Sequence, residues 1–361
     1  MKVLTVVGAR PQFVKAAVVS REIRRREGVT EVIVHTGQHY DRNMSAQFFE
    51  ELGIPEPDHN LGVGSASHGT QTAAIMQRLE PILLARRPDR VLVYGDTNST
   101  LAGALTAAKL HVPVAHVEAG LRSFNRRMPE ELNRVLTDHA SDLLFAPTDN
   151  AYRQLLLEGI PGHRIRTVGD VMLDAALHYA SLARSDGVLA RLGIEAGGYA
   201  LATVHRAENT DDHRRLRNVL AALARLAESV PVVLPLHPRT HRAVAEGGLT
   251  DLISPLLVTE PLGYPDMLRL ERDARLIVTD SGGVQKEAYF FGVPCVTVRD
   301  ETEWVETVQS GWNVLASPDH EASMLEAIER QRRGLDLPRP SFYGDGTAAK
   351  AIVDALLGFT G

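Results

Sequence analysis

The sequence predicts an α/β protein built from two doubly wound, Rossmann-like parallel sheets that face each other across a cleft. Three observations carry that expectation. Short β-branched runs alternate with longer helical patterns along the chain. Most of those runs are continuously apolar, as parallel strands covered by helices on both faces require. The two halves also echo each other: RVLVYGDTNST leads to a helix and then VPVAHVEAG, and RLIVTDSGGVQ leads to a helix and then VPCVTVRDE. In both, a strand ends in Asp followed by small residues that open a helix at the sheet's carboxyl edge, where open α/β sheets bind ligands.

Taken in order, strands are expected at 3–7, 31–36, 90–95, 112–117 and 143–148 in the first half. In the second half they are expected at 199–204, 230–236, 256–260, 275–280 and 293–298. At 361 residues the chain exceeds what one hydrophobic core usually serves, so two domains are expected, at 1–170 and 171–344. The polar stretch ARSDGVLARLGIEAGG marks the boundary region. YGDGTAAKAIVDALL closes the chain as an amphipathic helix, 345–361, expected to pack back on the first domain.

Composition narrows the function classes. A formal net charge of −6 argues against nucleic acid and anionic membrane as partners but leaves room for a small anionic ligand held by a local arginine cluster. The basic run Arg21–Arg26 reads as the outer face of a first helix. No stretch approaches the ~18 apolar residues of a membrane span, and MKVLTVVGARP reads as a first strand rather than a leader. A lone cysteine, Cys295 in an apolar run, suits a reducing, cytoplasmic setting. The histidines form no H-E-x-x-H or Cys/His cluster, and DETE (300–303) reads as a polar loop or helix start, so no metal is expected.

Seven segments have the chemistry of a site. GARPQFVKA (8–16) lacks G-x-G-x-x-G, which argues against a nicotinamide or flavin cofactor; Arg10 and Lys15 instead put cations beside a helix start, a setting for phosphate. In DSGGVQKEA, Ser281, Gly282 and Gly283 let backbone N–H groups approach a diphosphate, and Glu287, one turn on, is placed to accept from ribose hydroxyls. VHRAEN and LHPRT each set a histidine beside an arginine after a strand. His205 is the stronger candidate for a phosphate leaving group, and His237 reads equally as a rim residue. Asp96 and Glu118 follow neighbouring strand ends and should project together, where carboxylates with split pKa values serve as acid and base. Glu130 and Glu131 follow Pro129 at a helix start, where compensation of the helix dipole is the plain alternative.

In this order, GARPQFVK, TGQHYDRNM, YGDTNST, HVEAGLRS, MPEELNR, GDVMLD, HRAEN, HPRT, TDSGGVQKEA and RDETEW resemble the non-hydrolysing UDP-N-acetylglucosamine 2-epimerase family over essentially the whole chain. The resemblance implies a fold like that of GT-B glycosyltransferases, a homodimer, no cofactor, and a UDP-amino-sugar substrate inverted at carbon 2 on the way to polysaccharide biosynthesis. It implies Asp96, Glu118 and Glu130 as catalytic carboxylates, and His205 with Ser281, Gly282 and Gly283 as diphosphate contacts. It further implies Arg10 and Lys15 at or near the diphosphate, Glu287 at the ribose and Arg134 near the sugar. Two departures stand out. QHYDRNM carries its methionine two residues later than the QHxxM through which a second substrate molecule activates many members. TEWVE (302–306) replaces TERPE, and with HRAENTDD and MPEE it is more similar to members acting on UDP-2,3-diacetamido-2,3-dideoxyglucuronate. For such a substrate Arg122, Arg126 or Arg127 is expected to meet the sugar carboxylate. A GT-B glycosyltransferase and a non-catalytic sugar-nucleotide sensor are the competing readings of the same motifs.

Overall fold

A computed structural model describes residues 1–38, 53–54, 56–182 and 187–359, with the side chain of Arg10 outside the description. The YDRNM part of QHYDRNM, and His39 before it, lie outside the described residues. The chain divides into two units, one comprising Met1–Leu177 with Ser341–Gly361 and the other His178–Pro340.

The first unit holds a parallel sheet of seven strands: β1 Lys2–Val7, β2 Thr30–His35, β3 His59–Asn60, β4 Arg90–Tyr94, β5 Val114–Val117, β6 Leu143–Ala146 and β7 Ile165–Thr167. They are ordered 3-2-1-4-5-6-7, with β1 paired in parallel to both β2 and β4. The second unit holds six: β8 Ala200–Thr203, β9 Val232–Pro235, β10 Leu257–Thr259, β11 Leu276–Thr279, β12 Cys295–Thr297 and β13 Asn313–Leu315, ordered 10-9-8-11-12-13. Both sheets are doubly wound. The strand order reverses between β1 and β4 in one and between β8 and β11 in the other, and these reversal points are where such sheets bind ligands. The segments singled out for chemistry follow these strands.

Ten strands were expected and all ten form; β3, β7 and β13 are additions. Each spans two or three residues at or near a sheet edge, too short to carry a periodic signal. Helices cover both faces because their apolar positions recur on one side. In His213–Ala227, Leu216, Val219, Leu220, Leu223 and Leu226 are buried against β8, β9 and β11, each worth about 1.5–3 kcal/mol of transfer free energy. In the first unit, Ile75, Leu79 and Leu83 of the helix His68–Arg86 play that part.

The unit boundaries fall later and earlier than the expected 170 and 344. The helix Val171–Leu182 begins inside the first unit, where the Asp174 carboxylate accepts from the amides of Ala348 (3.1 Å) and Ala349 (2.8 Å). Residues 341–344 belong there too, since Asp170 N donates to Tyr343 O at 2.9 Å. The final helix, Ala348–Gly358, packs on the first, Arg10–Arg24. Arg26 reaches Asp354 at 2.5 Å, and the Arg90 guanidinium donates to Phe359 O and lies 4.9 Å from that residue's ring centroid.

Candidate active site

In the first unit the carboxyl edge is assembled around β1, β4 and β5. Gly8 ends β1 where nothing larger fits: a Cβ there would run into Ser99 Oγ and Thr36 Oγ1. The amides of Gly8 and Ala9 both donate to Gln12 Oε1 (2.8 and 3.0 Å), while Gln12 Nε2 donates to Tyr94 O (2.8 Å) and Thr100 Oγ1 (2.9 Å). One buried amide therefore ties the loop after β1 to the loop after β4. Sequence reasoning passed over Gln12, because the partners that give it this role, Tyr94 and Thr100, lie more than eighty residues away.

Asp96 follows β4, and its Oδ2 accepts from Arg134 Nε (3.0 Å) and Nη2 (2.7 Å). Desolvation raises the Asp96 pKa above the ordinary value, Arg134 pulls it back, and the nearby Glu118 charge pushes it up again. Glu118 follows β5, and its amide donates to Phe145 O of β6, the strand on the far side of β5 from β4, at 3.2 Å. Its side chain forms an ion pair with Lys15, both nine-tenths buried. Asp96 and Glu118 thus stand close enough to perturb one another, each beside its own cation. Glu118 also has φ of +74°, a left-handed conformation uncommon in residues other than glycine, at the position expected to act on a proton.

The helix Pro129–Ala140 brings in the remaining carboxylates. Glu131, expected only to offset the helix dipole, is the organiser of the preceding loop. Its Oε2 accepts from Ser123 N (2.8 Å), Ser123 Oγ (3.0 Å) and Arg134 Nη1 (3.0 Å), and its Oε1 from Phe124 N (3.0 Å). Burial pushes its pKa up, but the Ser123 and Phe124 amides prevail and hold it below the usual range. Glu130 is half-buried and carries none of these bonds. Arg122 cannot serve a sugar carboxylate in this arrangement. Its Nη2 is committed to Asp138 and Glu158, each at 2.7 Å, and its side chain is 2% exposed. Arg126 and Arg127 are exposed.

In the second unit the reversal point is closed by Asp280, at the end of β11 and fully buried. Its Oδ2 accepts from the amides of His205 (3.0 Å) and Arg206 (2.9 Å) and from Asn209 Nδ2 (3.1 Å), tying the VHRAEN turn to the SGG turn. His205 Nδ1 lies 3.7 Å from Asp280 Oδ1, and its ring centroid is 5.6 Å from that of His237. His237 caps the helix Pro238–Glu246, its Nδ1 accepting from Arg239 N at 3.1 Å. Ser281 caps the helix Gly282–Phe291, so the first amides of Gly282 and Gly283 have no carbonyl within their helix to serve and are available to an anion. A Cβ at Gly282 would sit 2.8 Å from Glu303 Oε1 and 3.7 Å from both Arg206 Nη2 and Trp304 Nε1. The TEWVE segment thus lies against that helix start, on the polar loop before the helix Val305–Gln309. Glu287 is 4% exposed and accepts from Tyr264 Oη at 2.7 Å; behind it, burial and the Glu287 charge push the Glu271 carboxyl well above its ordinary pKa. Cys295 is buried, and desolvation pushes its thiol up to about 12.

Among the described residues no group of three or more His, Cys, Asp or Glu side chains is placed to hold a metal ion, and no helix is long and apolar enough to cross a membrane.

A family profile described as UDP-N-acetylglucosamine 2-epimerase matches residues 21–357. UDP-2,3-diacetamido-2,3-dideoxy-D-glucuronate 2-epimerase of Pseudomonas aeruginosa is 51% identical over 360 residues, 99% of each chain. UDP-N-acetylglucosamine 2-epimerase of Methanocaldococcus jannaschii is 42% identical over 367 residues, 99% of each chain. Its crystal structure in complex with UDP-GlcNAc and UDP superposes with a TM-score of 0.88 over 99% of each chain. The Neisseria meningitidis enzyme bound to UDP-GlcNAc gives the same TM-score at 31% identity, over 99% of this chain and 100% of that one.

Proposed function

The chain belongs to the UDP-N-acetylglucosamine 2-epimerase family, and from that premise we propose that it inverts carbon 2 of a UDP-linked N-acetylamino sugar, interconverting UDP-N-acetylglucosamine and UDP-N-acetylmannosamine. The observation that carries this reading is the Asp96–Glu118 pair, two carboxylates at adjacent strand ends, each against a buried cation. The hydrogen on carbon 2 is unactivated, so direct deprotonation is prohibitively costly. A leaving group on carbon 1 changes the problem. One carboxylate takes the proton from carbon 2 as the bond from carbon 1 to the diphosphate oxygen breaks, its electron pair leaving with UDP. The resulting 2-acetamidoglycal then regains UDP at carbon 1 and a proton at carbon 2 on the opposite face.

Asp96, Glu118 and Glu130 are the proposed proton-transfer groups. Arg134 sits near the sugar, and Arg10 and Lys15 near the diphosphate, Lys15 acting through Glu118. The helix start at Ser281–Gly283, with His205, stabilises the charge that develops on UDP; Glu287 takes the ribose, and His237 lies at the rim beside His205. The reading requires the two reversal points to meet across a common cleft. It needs no cofactor and no metal.

A second reading is favoured by the 51% identity to the Pseudomonas aeruginosa enzyme: the same chemistry on UDP-2,3-diacetamido-2,3-dideoxyglucuronate, with Arg126 or Arg127 meeting the carboxylate. Epimerisation in D₂O with EDTA present tests the chemistry. Product carrying deuterium at carbon 2 is expected, with traces of glycal and UDP. Retention of the original hydrogen would sink the elimination, and a glycosyltransferase or a sensor would leave carbon 2 untouched. The ratio of kcat/KM for the two nucleotide sugars selects the substrate, a 100-fold preference corresponding to about 2.7 kcal/mol at the transition state. A cytoplasmic homodimer completes the proposal. Leu132 and Leu136, one turn apart and 41% and 48% exposed on the helix Pro129–Ala140, are the apolar surface expected to be covered, and light scattering reads the mass.

A further inference from the structure

Between the loops that present Asp96 and Glu118 lies a fully buried histidine that the mechanism above does not use. His116, on β5, is 0% exposed. Its Nδ1 is 2.7 Å from Asp138 Oδ1 and its Nε2 is 2.8 Å from Gly95 O. A neutral imidazole carries a single N–H. Gly95 O can only accept, so Nε2 donates to it, and the Asp138 carboxylate holds the ring at its other nitrogen. Burial opposes the Asp138 charge, but the hydrogen bond to His116 and the neighbouring Arg122 hold its pKa below the ordinary value. The other Asp138 oxygen accepts from Gly120 N at 3.1 Å and from Arg122 at 2.7 Å, and Arg122 continues to Glu158, which lies 3.5 Å from His139.

The consequence is positional. Gly95 precedes Asp96, and Gly120 lies two residues beyond Glu118. One ring and one carboxylate, bonded to each other, thus hold the backbone of both loops. The charged groups facing this ring are Asp138 directly and Arg122 and Glu158 through it. Beyond Gly95 lie Lys15 and Glu118, each within 3.4 Å of where a Gly95 side chain would begin.

We propose that His116 is a positioning residue which, clamped between Asp138 and Gly95 O, fixes the Asp96 and Glu118 carboxylates relative to one another. The proposal rests on the reading of those carboxylates as the proton-transfer groups. Its test pairs a spectroscopic with a kinetic measurement. With histidine selectively labelled with ¹⁵N, the unsubstituted protein should show a ring N–H in slow exchange with solvent, as the buried bond from His116 Nε2 to Gly95 O requires. His116→Gln, which has no ring N–H, should remove that signal. It should lower kcat about 10²-fold, the scale of a misplaced reacting group, with UDP affinity little changed because Ser281–Gly283, His205 and Glu287 belong to the other unit.

A His116 ring N–H that exchanges as freely as an exposed one overturns the proposal, as does wild-type turnover in His116→Gln. A loss of UDP affinity matching the loss in kcat marks a merely structural role and overturns it too. Should the substituted chain fail to fold, the ring spectrum of the unsubstituted protein decides. Asp96→Asn, measured alongside, separates the two readings. If it keeps wild-type turnover, the assignment of the carboxylates has failed, while the spectrum still reports the state of His116.

Discussion

Asp174 offers the cleanest test of how burial and hydrogen bonding compete in this protein. Its carboxylate caps the final helix through the Ala348 and Ala349 amides, and desolvation, aided by the Asp170 charge, raises its pKa from 3.8 to about 6 against the pull of those amides. A carboxyl whose pKa is raised on folding contributes stability in its neutral form, fully present below the unfolded pKa and lost as pH rises through 6. A shift of about two units at 1.36 kcal/mol each makes the charged form cost close to 3 kcal/mol at pH 8. Linkage puts about 2 kcal/mol of that change between pH 4.5 and pH 8. Asp174→Asn cannot ionise, so the stability of the variant relative to wild type should rise by about 2 kcal/mol over that interval, other carboxylates cancelling in the difference. Urea unfolding of both proteins at the two pH values measures it. Parallel behaviour would refute the reasoning. A change of opposite sign would mean that the two amides and the helix dipole outweigh desolvation.

Asp96→Asn, Glu118→Gln and Glu130→Gln should each lower turnover about 10²-fold or more in steady-state assays with UDP affinity unchanged; wild-type turnover in Glu130→Gln would reduce that residue to compensating its helix dipole. Arg134→Met leaves Asp96 and Glu131 without their shared cation and should cost about 3 kcal/mol in urea unfolding, near the low end for a broken buried pair because Asp96 keeps part of its side chain in water. The same change raises the Asp96 pKa further, so the acid limb of the rate profile should move to higher pH. Gly282→Ala pushes a methyl to within 2.8 Å of Glu303 Oε1 at the helix start and should weaken UDP binding about tenfold by calorimetry, with unfolding little changed because a flexible side-chain tip can give way.

Much of this architecture is legible from residues alone because it rests on local signals. Continuous apolar runs announced ten of the strands, and small residues after a strand-ending Asp announced both reversal points. Three classes of feature were not legible. Strands as short as His59–Asn60 exist only through pairing with a neighbour, and no periodicity precedes them. What Gln12, Asp280 and His116 do depends on partners far along the chain, Tyr94 and Thr100 for the first, the VHRAEN turn for the second and Asp138 for the third, so their neighbours in sequence do not announce those roles. Charged residues were assigned by position when partners decide. Arg122 lies in a basic stretch yet is consumed by Asp138 and Glu158, and Glu131 sits where helix dipoles attract acids yet organises a loop. Lys15 reads as a phosphate ligand, and its partner in the structure is Glu118.

The return of Ser341–Gly361 to the first unit fixes an order of events during synthesis. The second unit is a continuous stretch and can complete its core as soon as Pro340 has left the ribosome. The first unit, although its sheet is translated first, must wait for the helix Ala348–Gly358 before the helix Arg10–Arg24 is covered and Asp174 finds its two amides. Through most of translation the nascent chain therefore carries a nearly finished sheet whose first helix, Arg10–Arg24, has an uncovered side, the state in which aggregation and chaperone capture compete with folding. Loss of a few C-terminal residues would act at the opposite end of the chain, on the unit that was made first.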